Sequence, residues 1–182
     1  MSEAVEAHAE FLQYRAKSLS SREMLLEATA FRQLCSKTCF LINNRLGVAL
    51  AIDANGVHLG QDDLPLEVAR NLLGPRGIIG ITVHNLEVAL IAERGGADYL
   101  GVSPTFTTQT KPNAGKAAGL EMVERFQESV HIPVVAIGGI NLQNAVEAIL
   151  AGADAICAIS QVVTTPDVRA AIAQFQHPFE IP

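Results

Sequence analysis

The sequence contains no tryptophan and only two tyrosines, and aromatic residues make up 5% of it. Charged residues are also few, at 18%, while 49% are apolar, which excludes a disordered chain. The apolar residues are chiefly Ala, Val, Ile and Leu, a palette suited to parallel strands buried under helices. No apolar run approaches the roughly eighteen residues of a membrane-crossing helix. The opening residues Met1-Ser2-Glu3-Ala4-Val5-Glu6 lack the apolar core of an export signal, so a cytoplasmic protein is expected. The cysteines Cys35, Cys39 and Cys157 are odd in number and make no metal-binding pair pattern, so they read as reduced, structural thiols. Neither a Gly-x-Ser-x-Gly elbow nor a P-loop is present. A net charge of −6 argues against a general nucleic-acid surface. It leaves room for a locally basic pocket that takes an anion.

At 182 residues the chain suits one domain, 1–182, with a sizeable core. Its organisation is repetitive. Segments 4–15, 49–60, 89–102 and 148–160 each run from Ala-rich helical periodicity through Gly, Ala, Asp or Asn into a short apolar stretch. That is a helix C-terminus delivering the chain into a strand. The aligned alanines Ala9, Ala54, Ala97 and Ala153 are 45, 43 and 56 residues apart, enough for two β-α units in each interval. Strands are predicted at 10–15, 39–43, 56–60, 78–83, 98–103, 133–138 and 155–160. Ser20 to Glu23 predicts a capping box, Asn85 a second cap, and Pro166-Asp167 the start of a last helix. The pattern is that of an α/β fold, a TIM (β/α)8-type barrel. The first repeat opens with a helix and no strand before it, so the barrel is expected to lack its first β-strand. A seven-stranded doubly wound sheet is the alternative.

Barrel chemistry is built at the C-terminal ends of the strands. Those ends are rich here in polar and glycine residues: Gln13 to Lys17, Asn43 to Arg45, Gly60 to Asp63, Thr82 and His84, Ser103 to Pro112, Gly138-Gly139 and Ile159-Ser160. The last two fall after what would be barrel strands 7 and 8, where phosphate sites commonly form. Arg15, Lys17 and Lys111 could neutralise a more highly charged group such as a diphosphate. Asp63, beside Asp62, could hold Mg²⁺ with water and phosphate oxygens, or could simply begin a helix. His58 reads as a buried, satisfied core residue, and His84 is undecided. Asp98 and Asp154 precede strands at the opposite end of the barrel and read as structural.

Six of these motifs, in order, resemble those of the thiamine phosphate synthase family: Gln13-Tyr14-Arg15-Ala16-Lys17, Leu41-Ile42-Asn43-Asn44-Arg45, Gly56 to Asp63, Thr108-Gln109-Thr110-Lys111-Pro112, Ala136 to Ile140 and Ala158-Ile159-Ser160. The resemblance runs from about Glu10 to the last helix. It implies a transferase of thiamine biosynthesis that joins hydroxymethylpyrimidine diphosphate to thiazole phosphate, giving thiamine phosphate and pyrophosphate. It further implies that Gln13, Tyr14, Arg15, Ala16, Lys17, Asn43, Thr82 and Lys111 hold the pyrimidine diphosphate. Thr108, Gln109, Thr110, Gly139, Ile159 and Ser160 would hold the thiazole phosphate. Asn44 and Asp63 would hold Mg²⁺, and Arg15, Lys17 and Lys111 would stabilise the departing diphosphate.

The chain departs from the family at its absent first strand, at Asn44 where Asp is usual, and at Thr82 where Ser is usual. Two alternatives follow: a truncated or degenerate member that binds phosphorylated ligands without turnover, and a relative that aromatises an aminopyrimidine thiazole. The second usually lacks the Gly-Gln-x-Asp and Thr-x-Thr-Lys-Pro motifs present here. The expected partners are small phosphorylated molecules, with no nucleic acid and no membrane. The gap left by the absent strand is expected to reduce stability and to favour homo-oligomers.

Overall fold

In the computed structural model, which describes residues 2–108 and 117–179, the chain alternates helix and strand as far as its seventh strand and then forms two helices in succession. The strands are β1 (Phe11–Tyr14), β2 (Cys39–Asn43), β3 (Gly56–Leu59), β4 (Ile78–Val83), β5 (Tyr99–Val102), β6 (Val134–Ile137) and β7 (Ala155–Cys157). They form one parallel sheet in sequence order, a curled sheet of the TIM-barrel type. The helices are α1 (Ser2–Glu6), α2 (Ser21–Leu34), α3 (Leu46–Ala51), α4 (Leu66–Leu73), α5 (Leu86–Arg94), α6 (Leu120–Gln127), α7 (Ala145–Leu150), α8 (Ser160–Val163) and α9 (Val168–Gln176). Each predicted strand is present, most of them one to three residues shorter than expected. Ser20 and Glu23 make the expected capping box on α2. The Asn85 side chain accepts from the Val88 N–H to cap α5, and Asp167 caps α9.

The repeat has a definite backbone form. Ala9, Ala54, Ala97 and Ala153 each donate an N–H back to the carbonyl five residues earlier: Ala4, Ala49, Ala92 and Ala148. The residue before each alanine is left-handed: His8 at φ 58°, Asp53 at 51°, Gly96 at 87° and Gly152 at 93°. This is the Schellman termination of a helix, used four times to turn the chain toward the sheet. The next residue then locks the turn to the preceding strand in three copies. Asn55, Asp98 and Asp154 accept side-chain hydrogen bonds from the N–H groups of Phe40 (2.9 Å), Ile79 (2.7 Å) and Val134 (2.8 Å). Asp98 also pairs with Arg70.

Asp98 and Asp154 are therefore structural, as expected. The Asp98→Ala variant should lose about 1–3 kcal/mol of stability, because the N–H of fully buried Ile79 loses its partner. Its turnover per folded molecule should not change. Denaturant melts check this, and an unmoved midpoint would mean that the carboxylate does not fasten this turn.

Strand register sorts the side chains. Partnered residues of parallel strands share a face, and alternate residues change face. One face carries Phe40, Ile42, Val57, Ile79, Leu100 and Val134, all fully buried beneath the helices. The inner face of the curl carries Gln13, Cys39, Asn43, His58, Thr82, Tyr99 and Cys157 beside apolar residues such as Leu41, Val135 and Ile137, so it is more polar than the outer one.

Among the described residues, β1 pairs only with β2 and β7 only with β6, so the sheet is open between them. The outer layer nevertheless continues across this gap. Helix α1 packs against α9, the Glu6 carboxylate pairs with Arg169, and the Gln176 amide donates to the His8 carbonyl at 3.2 Å. Phe11, on the inner face of the edge strand β1, is 60% exposed.

Candidate active site

Because every strand runs the same way, all their C-terminal ends meet at one rim. Two polar cavities open there. The first, of about 290 Å³, is lined by Arg15, Ala16, Lys17, Asn43, Asn44, Arg45 and Asp63. It gathers residues from the ends of β1, β2 and β3. Asn44 adopts a left-handed backbone (φ 63°), a conformation that asparagine tolerates better than most residues. Its N–H donates to the His58 carbonyl at 2.9 Å, which fixes the β2 end against β3, and its side-chain oxygen accepts from the Asn43 amide. One Asp63 oxygen accepts from the Gly60 N–H at 2.6 Å.

Three cationic side chains face one carboxylate in this cavity. A bare cation would be repelled, and an anion carrying several charges would be attracted. The oxygen donors of Asn44 and Asp63 are nonetheless of the hard type that Mg²⁺ selects, and Mg²⁺ usually takes its remaining ligands from water and phosphate. The residues thus fit Mg²⁺ that arrives with a diphosphate.

The second cavity, of about 540 Å³, is lined by Thr107, Thr108, Gly139, Ile140, Asn141, Ser160 and Gln161. Its floor depends on two glycines, Gly138 at φ 93° and Gly139 at φ 71°. A methyl at Gly139 would lie 2.6 Å from the Thr107 carbonyl oxygen and 2.7 Å from that of Phe106. The loop after β5 can sit on β6 only because no side chain intervenes. Thr105 and Phe106 then donate N–H groups to the carbonyls of Ile137 (2.8 Å) and Gly138 (3.0 Å). The Asn144 amide, from the start of α7, holds the Gly139 carbonyl at 3.0 Å.

Of the residues expected at the site, Arg15, Ala16, Lys17, Asn43, Asn44 and Asp63 meet in the first cavity, and Thr108, Gly139 and Ser160 meet in the second. Ile159 precedes Ser160 as the cap of α8 and is 44% exposed. Gln13 and Thr82 lie on the inner face of the sheet and line neither cavity. Gln109, Thr110 and Lys111 lie outside the described residues. Tyr14 is placed differently from its neighbours. Its side chain is buried on the outer face, donates to Glu27 at 2.5 Å and stacks edge-on to Phe31, so only its backbone faces the rim. Burial, then Glu27, pushes its phenol up to about 12.

Arg45, Thr107, Ile140, Asn141 and Gln161 line the cavities without having been assigned there from sequence. Arg45 and Ile140 lie within quoted motifs and Thr107, Asn141 and Gln161 adjoin them, which was the available signal. His84 is exposed. Burial pushes the Cys39 and Cys157 thiols up to about 11, which leaves them protonated and poor nucleophiles near neutral pH.

The thiamine monophosphate synthase family model matches residues 1–162. The thiamine-phosphate synthase of Methanosarcina barkeri is 48% identical over 168 residues, covering 92% of this chain and 76% of the relative. That of Chloroflexus aurantiacus is 47% identical over 175 residues, covering 95% of this chain and 81% of the relative. The thiamine phosphate pyrophosphorylase structure from Pyrococcus furiosus superposes with a TM-score of 0.90 at 44% identity, covering 98% of this chain and 87% of that one. A 3-hexulose-6-phosphate synthase, 16% identical with a TM-score of 0.75, shares the fold alone.

Proposed function

Because the chain belongs to the thiamine monophosphate synthase family, we propose a division of labour between its two cavities in making thiamine phosphate. The observation that carries the proposal is the pairing, on one rim, of a cation-rich cavity containing Asp63 with a Gly-Thr-Ser cavity. The first suits the pyrimidine diphosphate, and the second suits the single phosphate of the thiazole. Arg15 and Lys17 bind the diphosphate and meet the charge that grows on it as it leaves. Lys111 is assigned the same duty, and Gln109 and Thr110 join Thr108 around the thiazole phosphate. Asn44 and Asp63 would hold Mg²⁺, which when bound neutralises part of the diphosphate charge.

A bond forms between the thiazole nitrogen and the pyrimidine methylene carbon. The carbon–oxygen bond to the diphosphate breaks, and its electron pair departs with pyrophosphate. The aminopyrimidine shares the positive charge left on the methylene, so no protein nucleophile takes part. Catalysis is then positioning plus electrostatics. Free thiols at all three cysteines suit a reducing, cytoplasmic setting, and the one-sided pairing of β1 and β7 favours self-association there. Among the described residues, no helix is long and apolar enough to cross a membrane.

The test is pyrophosphate release from the purified chain. Release should require the pyrimidine diphosphate, the thiazole phosphate and Mg²⁺ together. Tight binding of both substrates with no release would instead identify a ligand-binding member without turnover.

A further inference from the structure

Four polar side chains on the inner face form a chain that the division of labour above leaves unused. The Gln13 side chain hydrogen-bonds the Tyr99 hydroxyl. That hydroxyl lies 2.8 Å from His58 Nδ1, and His58 Nε2 lies 2.8 Å from Thr82 Oγ1. Gln13 and Thr82, at the two ends, are both assigned to the pyrimidine substrate. Tyr99 and His58, between them, come from the middle of the sheet.

The direction of the chain follows from its donors. Burial holds the Tyr99 phenol far above its ordinary range, so Tyr99 keeps its proton. The Tyr99 proton then goes to His58 Nδ1. His58 is left as the Nε2–H tautomer and donates to Thr82. The fold makes room for this arrangement at a cost. A methyl at Gly80, between His58 and Tyr99 in register, would lie 2.0 Å from the Tyr99 ring. A methyl at Gly101, beside Thr82, would lie 3.0 Å from His58 Cε1. Glycine inside a strand weakens it, and here it clears the space the two rings occupy.

Resting on the synthase reading, we infer that His58 is a positioning residue: fixed by Tyr99, it donates to Thr82 and leaves the Thr82 hydroxyl proton for a ring nitrogen of the pyrimidine. Thr82 itself is anchored by the Gln61 amide, which donates to its carbonyl at 2.7 Å.

Steady-state kinetics of single and double variants test this. His58→Leu and Thr82→Val should each lower kcat/KM for the pyrimidine diphosphate by about ten- to a hundredfold. The KM for thiazole phosphate should stay unchanged. The double variant should be no worse than the poorer single one, since both remove the same hydrogen bond. His58→Gln, which returns an N–H donor near the Nε2 position, should restore most of the loss. Additive losses, or equal rises in both KM values, would overturn the inference. A second readout needs no turnover: ¹⁵N-histidine NMR of the ligand-free protein should show the Nε2–H tautomer at His58. Tyr99→Phe should disturb that state, and an Nδ1–H tautomer in the unsubstituted protein would reverse the chain and overturn the inference. Failure of the unsubstituted protein to release pyrophosphate would instead count against the synthase reading and leave the tautomer result standing.

Discussion

Asp63→Asn should cut pyrophosphate release by on the order of a hundredfold or more while leaving the melting temperature nearly unchanged. The two halves of this expectation have separate causes. Structurally, Asp63 accepts the Gly60 N–H at 2.6 Å, and the asparagine oxygen can accept the same bond, so the turn after β3 survives. Electrostatically, the amide nitrogen then occupies the place of the second carboxylate oxygen and presents a donor to a cation. The cavity would be left with Arg15, Lys17 and Arg45 and no carboxylate of its own. Mg²⁺ would then have only neutral protein oxygens to bind. Asn44→Asp is the complementary arm, since aspartate also tolerates the left-handed backbone at this position. It should lower the Mg²⁺ concentration needed for half-maximal activity. Asp63→Asn activity within a few-fold of the parent at the same Mg²⁺ concentration would remove Asp63 from the metal site.

Gly139→Ala should damage the second cavity rather than the first. A methyl there meets the Phe106 and Thr107 carbonyl oxygens at 2.6–2.7 Å on a backbone already at φ 71°. The strain and the clash act together, at a cost of about 1–3 kcal/mol. The loop after β5 must lift from β6, carrying Thr107 and Thr108 away from Ser160. The KM for thiazole phosphate should rise tenfold or more, and that for the pyrimidine diphosphate should change little. Gly47→Ala provides the control. A methyl at Gly47 meets nothing within 4 Å, and the residue lies in helix α3, so this variant should gain about 0.4–1 kcal/mol. Wild-type kinetics in Gly139→Ala would show that the Gly-Gly turn does not shape the thiazole phosphate site.

The order of helices and strands was legible because its signals are local. The capping box at Ser20 and Glu23 acts over three residues, and each Schellman turn over five. The Ala-rich repeat holds those turns within itself, without contacts between strands. Asp98 and Asp154 were read as structural from their place just before a strand, and the bonds to Ile79 and Val134 give the reason. Arg15, Lys17, Asn44 and Asp63, each just after a strand in the sequence, line one cavity. Strands of one parallel sheet must end at the same rim.

Tyr14 shows where local reading stops. It sits between Gln13 and Arg15 in one motif, yet strand alternation turns it outward to Glu27, and only the burial of β1 against α2 decides which parity faces in. His58 shows the same limit more sharply. From sequence it was a satisfied core histidine, which is true as far as it goes. Its satisfying partners lie 24 and 41 residues away, on β4 and β5. The sequence by itself determined the alternating elements, the caps that end them and the rim at which polar residues collect, because these follow from interactions within a few residues. Only the tertiary structure decided that Gln13, Tyr99, His58 and Thr82 touch, because that contact depends on the register of four separate strands and on the room cleared by Gly80 and Gly101.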